Sequence, residues 1–176
     1  MKLGTKSVLY GAHAFWLHPF MVARGWCKLY GFPWDPRLWV CFFVHDIGYI
    51  GCDNMDGETG KRHPEAGANL VGALFGDKWG DLCLYHSRGY ARRDCAAVSK
   101  LCWADKLATV LTPAWLYMPL TKATGELNEY MNHTRFLDTS HREDDMPDGF
   151  WSDNQRDWYT AFQALCLRDV VLHAYK

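Results

Sequence analysis

Apolar residues recur along the chain at helical spacing, broken by short polar stretches, and no run shows the strict period-two alternation of a half-buried strand. One such stretch runs from Val8 to Tyr30 and stops near Gly31. Asp35-Pro36 is a start signal, because Asp can cap and Pro suits a first helical position. The helix it opens, Pro36 to Asp46, is almost wholly apolar, which places it at the centre of the molecule, with Gly48 behind it. Gly51 to Arg62, rich in Gly, Asp and Asn, predicts a loop. His63-Pro64 starts a helix that runs to about Phe75 and stops at Gly76, and Lys78 to His86 predicts another. A helix ending at Leu111 begins at Asp94 or Ser99. Thr112-Pro113 opens a further helix, which Pro119 is expected to kink. Glu126 to Asp138 is a weaker helical stretch. Thr139 to Gly149, with Glu143, Asp144, Asp145 and Asp148, predicts a solvated acidic loop. Ser152 and Gln155 fit a capping box for a last helix, about Asp153 to Ala174. The expected fold class is all-α, in one domain over residues 1–176 without internal repeats.

Composition narrows the function classes. The 176 residues are 49% hydrophobic and 22% charged, which suits a packed globular chain and excludes a disordered one. Aromatic residues reach 15%, which argues against a flexible adaptor. A net charge of −1 gives no electrostatic case for a nucleic-acid polymer or a membrane surface. The seven cysteines form no CxxC pair and read as reduced core thiols. Lys2 and Lys6 followed by an uncharged stretch imitate a signal peptide, but His13, His18, Gly11 and Pro19 interrupt it. The stretch also lacks the ~20 strongly apolar residues of a membrane span. A cytoplasmic protein is expected.

The candidate chemistry lies in one spaced set: His18, His45-Asp46, His63, His86 and Asp105. His45-Asp46 closes the most apolar helix, where a buried carboxylate is costly without a compensating cation. Asp105 also sits between apolar residues, in Ala104-Asp105-Lys106-Leu107. Neutral imidazoles suit transition metals, and a carboxylate can bridge two of them.

This set resembles the HD-domain superfamily of metal-dependent phosphohydrolases. Val44-His45-Asp46-Ile47-Gly48 is similar to that family's HDIG signature, and His63-Pro64-Glu65-Ala66-Gly67 to the HPExG motif of its multi-metal members. His18 resembles the leading His, with Val22-Ala23 in the family register. His13 is the alternative at that position. Asp105 resembles the terminal Asp. The resemblance covers about Val8 to Leu111 and implies a helical bundle, extended here by C-terminal helices over about 112–176. It further implies a first metal on His18, His45, Asp46 and Asp105, and a second on Asp46, His63 and His86. Catalysis would centre on Asp46, His63 and His86 through a metal-activated hydroxide. The implied cofactors are two divalent ions, of Mn, Co, Fe, Mg or Zn.

Basic residues follow the motifs. Arg88, Arg92 and Lys106 are candidates for gripping a phosphate, and Tyr90 for stacking on a base. The expected partner is therefore a small phosphate substrate, a nucleotide or related ester. Tyr49 stands where HDIG phosphohydrolases commonly carry Lys, which counts against a simple transfer of cyclic-dinucleotide activity. The same ligand set is shared by mixed-valent di-iron oxygenases of the superfamily, an alternative reading. A nucleotide-sensing module is a second alternative, which the full ligand set disfavours.

Overall fold

The computed structural model describes residues 1–135 and 147–175, and those residues form ten α-helices and no strand. They are α1 (Leu3–Tyr10), α2 (His18–Tyr30), α3 (Pro36–Val44), α4 (Pro64–Phe75) and α5 (Asp77–Leu84). After them come α6 (Arg88–Arg93), α7 (Lys100–Leu111), α8 (Ala114–Thr124), α9 (Glu126–Arg135) and α10 (Gln155–His173). Two 3₁₀ turns, Ile47–Tyr49 and Gly60–Arg62, flank the Gly-rich loop. The expected all-α class is what the chain adopts. The acidic residues Glu143, Asp144 and Asp145 lie outside the described residues, as does the end of the stretch expected over Glu126 to Asp138.

The main core joins Val22, Ala23 and Trp26 of α2, Cys41 and Phe42 of α3, Val71 of α4, Cys83 of α5, and Leu101, Ala104 and Ala108 of α7. All five of these helices lead a candidate ligand into place, at a helix start, a helix end or, for α7, mid-helix. The C-terminal helices are packed against this unit. Val170 and Ala174, at the end of α10, share a cluster with Cys102, Trp103 and Leu107 of α7. Tyr117 of α8, Leu127 and Met131 of α9, and Trp158 and Tyr159 of α10 make another, which also covers Ala12.

Two local features differ from the sequence expectations, and of the two starts expected for the helix ending at Leu111 the chain uses Ser99. The stretch from Val8 to Tyr30 is two helices, broken over residues 11–17. The break is enforced from a distance: the Ala12 N–H donates to the buried Glu126 carboxylate of α9 at 2.6 Å. Within the break the Ser7 hydroxyl pairs with His13 Nδ1 at 2.8 Å. The helix after His86 does not begin at Asp94. Residues 88–93 form the short α6, and α7 starts after Ser99, whose hydroxyl donates to the Leu82 carbonyl at 2.8 Å. The last helix is capped by Asn154, not by Ser152: Asn154 Oδ1 accepts from the Arg156 N–H at 2.9 Å, and Ser152 only supports Asn154. Pro119 sits inside α8 without ending it. The expected cap at Asp35 is present, accepting from the Arg37 N–H at 2.9 Å.

Candidate metal centre

The helix ends converge. His18 opens α2, His45 and Asp46 follow α3, His63 precedes α4, His86 follows α5, and Asp105 lies mid-way along α7. Proline near the start of α2, α3 and α4 (Pro19, Pro36 and Pro64) pre-sets the first turn. The approach of the α3 end to the α4 start depends on two glycines. A Cβ on Gly48 would lie 2.1 Å from the His63 carbonyl, and one on Gly67 would lie 2.3 Å from the Val44 carbonyl. Any larger residue would push Asp46 away from His63.

All six predicted ligands come together around Asp46. Its Oδ2 lies 3.2 Å from His18 Nε2 and 3.1 Å from His45 Nε2. Its Oδ1 lies 3.5 Å from His63 Nε2 and 3.4 Å from His86 Nε2. Asp105 Oδ1 approaches His18 Nε2 at 3.1 Å. The atoms divide into two sets, His18–His45–Asp46–Asp105 and Asp46–His63–His86, each with its donor atoms within 4.8 Å of one another. His45, Asp46 and His86 are buried.

Three imidazoles are oriented by main-chain carbonyls. His45 Nδ1 meets the Phe42 carbonyl at 3.1 Å, His63 Nδ1 meets that of Gly60 at 2.7 Å, and His86 Nδ1 meets that of Cys83 at 2.5 Å. A carbonyl oxygen only accepts, so each Nδ1 donates and each Nε2 turns its lone pair inward. The Nε2 atoms of His63 and His86 then face each other at 3.1 Å, two acceptors in repulsive contact unless a cation or a proton lies between them. Asp46 Oδ2, despite its two close imidazoles, has no hydrogen bond. Ligands about 2.0–2.2 Å from one ion stand about 3.0–3.4 Å apart on its coordination sphere. The spacings here are of that order. This buried His/Asp group has the chemistry and the separation to hold a metal ion.

Protonation does not follow this division, since Asp46 raises the pKa of His86 as well as that of His18 against the cost of burial. Burial opposes charge on His18, but the Asp105 and Asp46 carboxylates override it and raise its pKa to about 10. Burial opposes charge on Asp105 too, and His18 still pulls it down to about 2. On His63 burial wins and lowers the pKa to about 3. Burial also keeps His13 below the usual imidazole range.

A cavity of about 310 Å³ opens from the centre. His13, His18, His86 and Asp105 line its inner end, with Tyr49, Tyr117, Tyr130 and Phe162 along its walls. Two of the predicted phosphate contacts line it, Arg88 and Lys106. Both are held by Asp169 of α10, with Arg88 Nη1 at 2.6 Å and Lys106 Nζ at 3.4 Å from Asp169 Oδ2. The other two face elsewhere. Arg92 is exposed on α6 and does not line the cavity. The buried Tyr90 donates its hydroxyl to Glu65 and carries the Arg93 guanidinium 4.2 Å above its ring. The cavity thiols are inert nucleophiles at neutral pH, since burial pushes Cys102 up to about 12 and Cys166 to about 11.

Tyr49 and His13, named in the sequence without a place in the ligand set, also belong to this site. Tyr49 stacks on His63 at 4.0 Å between ring centres, and burial beside Asp46 holds its phenol protonated. His13 also lines the cavity, but its Nε2 is 3.9 Å from Asp46 Oδ2, so His18 is the nearer partner of the two alternatives. Asp169, Tyr117 and Phe162 carried no local signal. Among the described residues, no helix is long and apolar enough to cross a membrane. Compared with protein-family models, with curated proteins and with solved structures, the chain matches none.

Proposed function

We propose that this chain is an HD-type, metal-dependent phosphohydrolase of the cytoplasm, acting on a nucleotide or a related phosphate ester or anhydride with two divalent ions. One observation carries the reading: a single buried carboxylate, Asp46, turns one oxygen to the His18–His45 pair and the other to the His63–His86 pair. His18, His45, Asp46 and Asp105 would hold one ion; Asp46, His63 and His86 would hold the other. When bound, such ions supply Lewis acidity and a water-derived nucleophile at neutral pH. The rest is the work of the chain itself. Arg88 and Lys106 take phosphate oxygens, and Asp169 keeps their long side chains from collapsing onto the metal ligands. Tyr49, Tyr117 and Phe162 offer ring faces and edges to the organic part of the substrate. The walls from α8, α9 and α10 exclude bulk water, and a cavity of about 310 Å³ suits a small molecule rather than a polymer.

Tyr49 supports a second reading. It replaces a cationic neighbour with a buried aromatic ring on His63, which suits a di-iron oxygenase acting on a small organic substrate. One experiment separates the two. After metal analysis, the protein is incubated with Mn²⁺, Co²⁺ or Fe²⁺ and a panel of nucleotides, with and without oxygen, beside an Asp46→Ala control. Oxygen-independent release of phosphate, pyrophosphate or triphosphate that is lost in the control is the expected result. No turnover of any nucleotide, together with two bound irons and oxygen-dependent oxidation of an organophosphonate or polyol, would replace the hydrolase by the oxygenase.

A further inference from the structure

The chain presents an apolar face on the outside of its N-terminal helices, away from the chemistry. Two segments build it. From Ser7 to Ala23 the sequence has no Lys, Arg, Asp or Glu, and from Leu38 to Cys52 the only such residue is the buried Asp46. Yet these segments expose Leu9, Phe15, Trp16, Phe20, Phe43 and Ile47, with Phe15 at 51% and Phe20 at 52% of their full exposure. The residues are contiguous. Phe20 of α2 meets Phe43 of α3 edge-on at 5.6 Å between ring centres. The Trp16 indole N–H donates to the Leu9 carbonyl at 3.0 Å. Ile47 follows four residues after Phe43, in the 3₁₀ turn beyond the end of α3.

We propose that this face is the interface of a twofold dimer of the chain. Area is the first argument. Aromatic side chains carry roughly 150–250 Å² each, so six half-exposed large residues present roughly 600 Å². That is at the top of the range for the largest apolar patch of a typical monomer, roughly 300–600 Å². Two such faces pressed together bury roughly 1,200 Å², enough for a specific interface. Chemistry is the second. Among these six residues the one polar side-chain donor, the Trp16 indole, is already satisfied within the chain and enters a dry interface without loss. The third is the absence of charge. Neither segment carries a basic residue to draw the face to an anionic membrane, and the nearest charge after Phe20 on α2 is the exposed Arg24, one turn on. A second copy offers the same uncharged surface, self-complementary about a twofold axis. The face lies on the elements that lead into His18 and His45, so dimerisation would brace the outside of the metal centre.

The test is sedimentation velocity of the full chain over a range of concentrations. The expected mass is twice the 20.3 kDa of one chain. Phe20→Glu and Phe43→Glu are each expected to halve it while the helical circular dichroism is retained. Should either variant fail to fold, hydrogen exchange on the unaltered chain decides: backbone amides of residues 9–20 and 43–50 gain protection as concentration rises. The proposal is overturned by a single-chain mass at all concentrations, or by dimers that persist in both folded variants. Exchange independent of concentration, or a monomer that floats with neutral lipid vesicles through Phe20, overturns it as well.

Discussion

The two halves of the metal centre share Asp46 but are built differently. The His18 half has four ligands, two of them carboxylates, and His18 pairs with Asp105 at 3.1 Å while both carboxylates raise its pKa. The His63 half has three ligands and one shared carboxylate; burial keeps His63 neutral, while Asp46 raises the pKa of His86 against its burial. The first half has two carboxylates to balance its imidazoles and the second shares one. More carboxylate ligands favour tighter binding of a divalent cation, and fewer protein ligands leave more positions open for water and substrate. On the proposed function the His18 half would bind its ion more tightly, and both halves reach the cavity, through His18 and Asp105 on one side and His86 on the other.

The largest expected effect tests what the halves share. Asp46→Ala should lose both ions and all turnover, measured by metal analysis and by the nucleotide panel; full metal occupancy in the variant would break the scheme. Single-ligand variants sharpen the asymmetry. His63→Ala should retain one ion per chain, whereas His18→Ala should weaken both sites, and isothermal titration with Mn²⁺ reads the difference. Equal stoichiometry in the two variants would erase the distinction between the halves. Arg88→Ala removes a charge-assisted contact of about 1.5–3 kcal/mol, so KM should rise roughly tenfold or more with little change in kcat. A fall in kcat alone would move Arg88 out of substrate binding.

The last test is the pH dependence of the metal-free chain. His18 has its pKa raised from 6.5 to about 10, so its contribution is complete below pH 6.5 and is lost as pH climbs towards 10. His63 has its pKa lowered from 6.5 to about 3, so the unfolded chain gains a proton that the folded chain refuses as pH falls from 6.5. Stability should therefore peak near pH 6.5 and decline on both sides in urea melts. The alkaline decline should vanish when an ion replaces the proton on His18. A metal-loaded protein with the same alkaline slope would show that His18 is not a ligand.

Most of the candidate ligands were legible in the sequence because they sit at helix boundaries with local markers, and only Asp105, mid-way along α7, lacks one. Asp35-Pro36 and His63-Pro64 announce helix starts, and Gly48 and Gly67 follow from how closely the α3 end meets α4. What escaped is set by partners distant along the chain. Helical periodicity runs unbroken from Val8 to Tyr30, and only Glu126, 114 residues beyond Ala12, explains the break. Arg88 and Lys106 look alike in sequence to Arg92, but Asp169 selects the first two for the cavity. Tyr90 was expected to stack on a base, and its hydroxyl is instead taken up by Glu65.

The six ligands span residues 18–105 and belong to five separate segments, so an unfolded chain cannot gather them. An ion at a hundred times its dissociation constant would then favour the folded form by about 2.7 kcal/mol. Proteases and chaperones act on the unfolded fraction, so the steady-state amount of this protein would follow the supply of its metal. On the proposed function, metal scarcity would cost a cell the chain itself as well as its activity.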